Sequence, residues 1–209
     1  IGAWVLTETC GQVRRWQEQL PAGRRLTLSV NFSAFELERG SVADDVLAIL
    51  DRTGFSPRDL IVEVTETATV NDQSVVPQLE ALRDRGVRVA LDDFGTGYSS
   101  LRYLTRLPVD ILKLDRCFVA ELNGGPERSA VAEAVIRLGQ ILHLETVAEG
   151  VEENAQATEL TLLGCESAQG YYFAPPLPGP QLEALVVAAD SWPQLPATAV
   201  DVSATAASR

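Results

Sequence analysis

The stretch Val89–Leu101 reads VALDDFGTGYSSL, and the fold turns on how it is read. A run of apolar or small residues meets two adjacent carboxylates, Asp92 and Asp93, and then the glycines Gly95 and Gly97 precede a serine-rich helix start. An apolar run that ends in acids and glycines describes a buried strand opening onto a site. Adjacent acids repel each other and are costly to desolvate unless a cation lies between them, so a metal ion is the first functional reading. The structural alternative is that Asp92 ends a strand and Asp93 caps the following turn, a common local use of aspartate.

Outward from this stretch, the chain alternates strand and helix. An amphipathic helix is predicted over residues 1–20, stopped by Pro21 and Gly23. LTLSVNFS at Leu26–Ser33 alternates as a strand, and Ser41 has the character of an N-cap for a helix closed by Gly54. LIVEVTE at Leu60–Glu66 is the next strand, followed by a helix over Gln73–Arg85 and the strand that ends in Asp92 and Asp93. A short helix is predicted near Ser99–Leu107, then the strand DILKLD (Asp110–Asp115) and a long helix over Glu127–Leu142. The strand ETVAEGV (Glu145–Val151), a helix over Ala155–Leu163, the strand SAQGYYF (Ser167–Phe173) and a helix over Gln181–Ala189 complete the order. Residues 190–209, rich in Ala, Thr, Ser and Pro, have little to bury and are expected to form a disordered tail.

Six strand-helix units in succession are the mark of a parallel sheet in an α/β fold. Polar residues interrupt the strands at Asn31, Glu63, Asp92, Lys113, Glu149 and Gln169, at intervals of 32, 29, 21, 36 and 20 residues, each about one unit. All six therefore fall near the carboxyl end of a strand. In an α/β barrel these ends converge on one mouth, whereas an open doubly wound sheet gathers only a few of them at a switch point. The reading is a (β/α)8-type barrel in which residues 1–189 supply about six units, with two strands expected to precede Ile1.

Composition narrows the chemistry. A chain of 209 residues, 46% hydrophobic, can bury one substantial core. It has no 20-residue apolar span or signal peptide, so a soluble cytoplasmic chain is expected, any membrane anchor being carried by regions outside it. Three widely spaced cysteines without a CxxC pair suit a reducing compartment and disfavour a thiolate zinc site. A net charge of −12 disfavours a nucleic-acid duplex as partner but admits a small phosphorylated ligand held through cations. The single histidine, His143, ends an apolar helix and is read as structural; a histidine-rich metal centre is excluded within one chain.

Asn31, Glu63, Asp92 and Asp93 offer only oxygen donors, which suits Mg²⁺ or Mn²⁺. Four such donors, one able to bridge, can hold two ions about 3.5–4 Å apart, the arrangement used for phosphodiester cleavage. Glu149 is then a candidate general base and Lys113 a cation that orients the nucleophile or stabilises the transition state. A Schiff-base role for Lys113 is disfavoured because the surrounding carboxylates favour its charged form. The DFG at Asp93–Gly95 is unaccompanied by a kinase HRD or glycine-rich loop, and GTG at Gly95–Gly97 lacks the third glycine of a dinucleotide fingerprint.

With these residues assembled, the chain resembles the EAL domain, a bacterial phosphodiesterase domain that hydrolyses cyclic di-GMP to linear pGpG. The resemblance covers about residues 1–176, through VNFS (Val30–Ser33), EVTET (Glu63–Thr67), LDDFGTGYSSL (Leu91–Leu101), LKLD (Leu112–Asp115), AEGVE (Ala148–Glu152) and QGYYFAPP (Gln169–Pro176). It implies metal ligands at Asn31, Glu63, Asp92 and Asp93, Lys113 beside the attacking water, and Glu149 as general base. Glu152, Gln169 and Pro176 match positions that support the site or the bound nucleotide. Glu66 with Phe94, Gly95, Thr96, Gly97, Tyr98 and Ser99 matches a loop coupling dimerisation to metal binding. Also implied are a modified barrel with one strand reversed, a requirement for Mg²⁺ or Mn²⁺, a homodimer, and fusion to sensory or GGDEF-type domains.

One departure bears on activity. The Glu-Ala-Leu preceding an arginine on an early strand, which names the family, is absent from the corresponding place and would lie roughly 30 residues before Ile1. Its glutamate is a metal ligand in the family and its arginine contacts phosphate, so the 209-residue chain alone is expected to be inactive. The alternatives carried forward are a catalytically silent cyclic di-GMP receptor and a dimerising interaction module.

Overall fold

The computed structural model describes residues 2–21, 24–66, 72–95 and 104–188. Helix α1 (Gly2–Gln17) leads into strand β1 (Leu28–Phe32), the short helix α2 (Ala34–Glu38), helix α3 (Val42–Thr53) and strand β2 (Leu60–Thr65). Helix α4 (Asp72–Asp84), strand β3 (Arg88–Phe94), strand β4 (Ile111–Leu114) and the short helix α5 (Arg116–Ala120) come next. The long helix α6 (Pro126–Leu142), strand β5 (Glu145–Ala148), helix α7 (Asn154–Leu163), strand β6 (Ser167–Ala168) and helix α8 (Gly179–Ala188) finish the described chain. The six strands form one sheet in sequence order, and every pairing is parallel. Strands in sequence order with helical returns form an arc of an α/β barrel.

Alternate residues explain how the arc is held. Val62 and Val64 of β2, Val89 and Leu91 of β3, Leu112 and Leu114 of β4 and Ala148 of β5 are at most 1% exposed and join the helices in one large core. Each fully buried aliphatic chain contributes about 1.5–3 kcal/mol relative to exposure. The opposite face carries a smaller cluster of Ile61, Ala90 and Ile111 with Val147 against it. Glu63 and Lys113 lie on that inner side by the period of two along their strands. Below them Arg88 pairs with Glu145 at 2.8 Å, and Ser167 donates to the same carboxylate at 3.1 Å. On α1, Leu6, Cys10, Val13 and Trp16 recur at helical spacing and are buried.

Several expectations change. The strand predicted over Ser167–Phe173 is only Ser167–Ala168. After it the chain folds onto the segment beyond β5: Val151 N–H donates to Gln169 O, Tyr172 N–H to Val151 O, and Phe173 N–H to Gly170 O. The backbone groups that would extend a ladder are thus used in a turn. Ser41 precedes α3 but makes no capping bond to its backbone. Instead the buried Gln78 of α4 accepts from Val42 N at 2.9 Å and Ala43 N at 3.4 Å while donating to the Leu37 carbonyl. Helices α2 and α5 had not been expected; Ser33 and Asp115 cap them, accepting from Glu36 N and Cys117 N. His143 occupies the left-handed residue after α6, the structural role expected of it.

Among the described residues no strand is reversed. The triplet Glu-Ala-Leu does occur, at Glu80–Leu82 and Glu183–Leu185, but within helices α4 and α8 rather than on a strand. No helix of the described residues is long and apolar enough to cross a membrane. Most of the helix expected near Ser99–Leu107 and the whole 190–209 tail lie outside the described residues.

Candidate active site

The site is built at the carboxyl ends of β2 to β5. Lys113 of β4 is 4% exposed, and its Nζ lies 2.6 Å from Glu63 Oε2 of β2 and 3.0 Å from Asp92 Oδ1 of β3. It also pairs with Glu149, just beyond β5. Gln169, just beyond β6, donates Nε2–H to Glu149 Oε1 at 2.9 Å. Four consecutive units of the sheet therefore meet at one ammonium, and a fifth steadies the last carboxylate.

Consecutive residues of a regular strand point to opposite faces, so Asp92 and Asp93 would normally diverge. Here the β3–β4 register shifts between Leu91 and Phe94, and Asp93 takes φ 54°. The Asp93 N–H donates to Asp92 Oδ1 at 3.0 Å. Aspartate tolerates this left-handed conformation better than most residues because its short side chain bonds locally. The irregularity turns both acids toward Glu149, so that one oxygen from each of Asp92, Asp93 and Glu149 lies within 4.8 Å of the others.

Electrostatics follow from four carboxylates, Glu63, Asp92, Asp93 and Glu149, crowded around one cation. Burial favours neutral Lys113, but hydrogen bonds and charges from Glu149 and Glu63 outweigh it and hold its pKa above the ordinary lysine range. The surrounding carboxylates favour the charged ammonium, which disfavours the Schiff-base alternative. Burial pushes the Glu149 pKa up; Lys113 opposes this, while Asp92 and Glu63 add to it. For Asp93, burial and then the charges of Asp92 and Asp115 raise the pKa. The excess of negative charge among these acids is what a cation would relieve. Oxygen-only donors with unbalanced negative charge fit Mg²⁺ or Mn²⁺.

The remaining candidates take varied places. Asn31 lies on the first strand of the arc, exposed, with Glu63 as its register partner. Glu66 and Phe94 are buried, and Gly95 turns the chain at φ 94°. Thr96, Gly97, Tyr98 and Ser99 lie outside the described residues. Glu152 is exposed, its N–H donated to Gln156 Oε1 at 2.8 Å, and Pro176 is exposed beyond the turn that follows β6. Asp115 had been read only as a strand end, yet it raises the Asp93 pKa. Its distance from Lys113, two residues along a strand, was the available signal.

The family model for the EAL domain matches residues 1–176. The chain belongs to the EAL domain family. This EAL domain is 44% identical over 187 residues to the bifunctional diguanylate cyclase/cyclic di-GMP phosphodiesterase MucR of Pseudomonas aeruginosa, covering 89% of the chain and 27% of that protein. The chain spans about a quarter of the length of the curated relatives it matches. Among solved structures, the EAL domain is similar to the MucR phosphodiesterase in its c-di-GMP complex, with TM-score 0.81 and 43% identity, covering 87% of this chain and 73% of that one. It is also similar to Klebsiella pneumoniae BlrP1 in a manganese and cy-diGMP complex, with TM-score 0.67 and 31% identity, covering 83% of this chain and 44% of that one.

Proposed function

We propose that this EAL domain contributes the catalytic rim of a metal-dependent phosphodiesterase that opens cyclic di-GMP to linear pGpG. The observation that carries the reading is the ring of Glu63, Asp92 and Glu149 around Lys113, with Asp93 drawn into the same cluster. A site devoted to binding a dianionic nucleotide has no use for so many carboxylates beside its one ammonium. MucR and BlrP1 support the substrate class, since both are described in complex with the cyclic dinucleotide.

Asn31, Glu63, Asp92 and Asp93 would hold two Mg²⁺ or Mn²⁺ ions. When bound, these supply Lewis acidity at the phosphate and lower the pKa of water. Glu149, whose pKa burial raises, accepts the proton of the attacking water. Gln169 fixes the orientation of that carboxylate through its 2.9 Å hydrogen bond. Lys113 positions the water and offsets negative charge on the phosphoryl oxygens. Glu152 and Pro176, both exposed, would support the nucleotide.

In the same reading, the domain works within a longer cytoplasmic polypeptide carrying sensory or GGDEF-type domains. It acts as a homodimer coupled to the site through Glu66 and residues 94–99. The 209 residues alone hydrolyse negligible dinucleotide, because the early-strand glutamate and arginine are not among them.

Cyclic di-GMP incubated with the longer polypeptide and Mg²⁺ or Mn²⁺, followed by chromatography, tests the activity. Linear pGpG is expected, and Glu149→Gln should keep nucleotide binding while losing about 100-fold or more in kcat, the scale of a lost general base. Binding without product from the wild type would replace the enzyme with a receptor.

A further inference from the structure

We infer that helix α5 is a spacer that sets the distance between the β3 acids and Glu149, and that Phe118 and Gln156 are positioning residues acting through it. The inference rests on the proposed metal-binding role of the Asp92, Asp93 and Glu149 cluster for its purpose, but not for its geometry. These three acids come from two rims that are not neighbours in the sheet: β4 lies between β3 and β5. Helix α5 follows β4 directly, capped by Asp115 at its entry.

On the β3 side, the Phe118 ring closes over Gly95, two residues beyond Asp93. A methyl group at Gly95 would sit 3.0 Å from Phe118 Cε2 and 3.1 Å from Cζ. On the β5 side, Gly150 follows Glu149, and a methyl there would lie 2.5 Å from Arg116 Cβ and 3.4 Å from its Cα. Both glycines have positive φ, 94° and 68°, so each turn is made close to α5 by a residue with no side chain to hold it off. The helix is thus in contact with the turns that directly follow the site acids of both flanking strands.

Gln156 ties the β5 side down. It is buried, accepts from Glu152 N at 2.8 Å and Glu153 N at 3.0 Å, and donates Nε2–H to Val119 O of α5 at 3.4 Å. Asn123, just past α5, adds a 2.8 Å bond to Glu153 Oε2. A glutamine that served only to cap α7 would need its acceptor oxygen alone. The donor reaching across to the Val119 carbonyl joins the Glu149 turn to the spacer, and packed elements with defined arrangements transmit such displacements. Moving either contact shifts one set of acids relative to the other, across a cluster whose oxygens lie within 4.8 Å.

The test perturbs one side and reads the other in the 209-residue chain. Phe118→Ala, on the β3 side, should speed hydrogen exchange of the Glu149 and Val151 amides, which donate to Leu114 O and Gln169 O. The expected change is about fivefold, with the β2 amides as internal control. Gln156→Leu, on the β5 side, should weaken Mn²⁺ binding, followed by the EPR signal of free Mn²⁺, by about fivefold. Phe118→Leu, which keeps apolar bulk against Gly95 without adding a group at the ring tip, should lie closer to wild type than Phe118→Ala. Should Gln156→Leu fail to fold, Gln156→Glu retains the cap acceptor but removes the donor to Val119 O and is expected to show the same Mn²⁺ loss. Far-side amides or Mn²⁺ affinity within twofold of wild type, in folded variants, would overturn the spacer. If the wild-type chain, which lacks the early-strand glutamate, binds no Mn²⁺, the exchange measurement alone decides whether α5 couples the rims.

Discussion

Replacing Lys113 by methionine keeps most of the volume and deletes the charge, and the structure fixes what should follow. The Lys113 side chain is 5% exposed and paired with three carboxylates, of which the Glu63, Asp92 and Glu149 side chains are 7, 12 and 18% exposed. Removing one member of a buried ion pair costs about 3–5 kcal/mol because the partner charge stays behind. Three partners stay behind here, so the upper part of that range is expected at neutral pH without divalent ions. With a urea slope of about 2–3 kcal/mol per molar, the unfolding midpoint should fall by about 1.3–2.5 M.

The pH dependence has a definite sign. The folded-state pKa of Lys113 lies above the ordinary lysine value, so its stabilisation is fully present below about pH 10 and is lost only above that. In the variant the deficit comes from uncompensated carboxylates, which lose charge on acidification. The gap between wild type and Lys113→Met should therefore narrow from pH 7 towards pH 4. Urea melts of the 209-residue chain in EDTA across this range measure it. A gap below about 1 kcal/mol at pH 7, or one that widens in acid, would refute the charge-ring account.

Other consequences are as direct. Leu112→Ala empties a fully buried site beneath the Lys113 strand and should cost about 2–5 kcal/mol in the same melts. Gln78→Leu removes the acceptor of the Val42 and Ala43 N–H groups and the donor to the Leu37 carbonyl; a loss of about 1–3 kcal/mol is expected, whereas Ser41→Ala should be close to neutral. Burial pushes the Cys10 thiol up to about 11 from 9.0. Stability from keeping it neutral is intact below pH 9 and is lost as pH rises through about 11, so Cys10→Ala should flatten the alkaline decline of wild-type Tm in that interval.

Features governed by local repeat were legible before any coordinates. The period of two in LIVEV and the recurrence of strand and helix require only neighbouring residues, and with them came the parallel α/β arc. Five of the six polar interruptions, Glu63, Asp92, Lys113, Glu149 and Gln169, are joined in the structure, and each was legible because it stands where a strand's apolar run gives out. Where a choice depended on residues distant in the chain, local signals misled. Ser41 has the chemistry of a cap, but Gln78, some 37 residues later, is positioned to do the capping. SAQGYYF has strand propensity, but the Val151 backbone takes the bonds that a longer strand would need.

The amino-acid order by itself determined which side chains reach the carboxyl rim, since strand periodicity and unit length are written in it. Only the tertiary structure decided that Lys113 stands among three acids from three other strand ends, that the irregularity at Asp93 turns both aspartates to one side, and that α5 packs against the glycine turns after Asp93 and Glu149. Those outcomes depend on packing and charge between segments 20 to 50 residues apart, and short-range propensity carries no record of them.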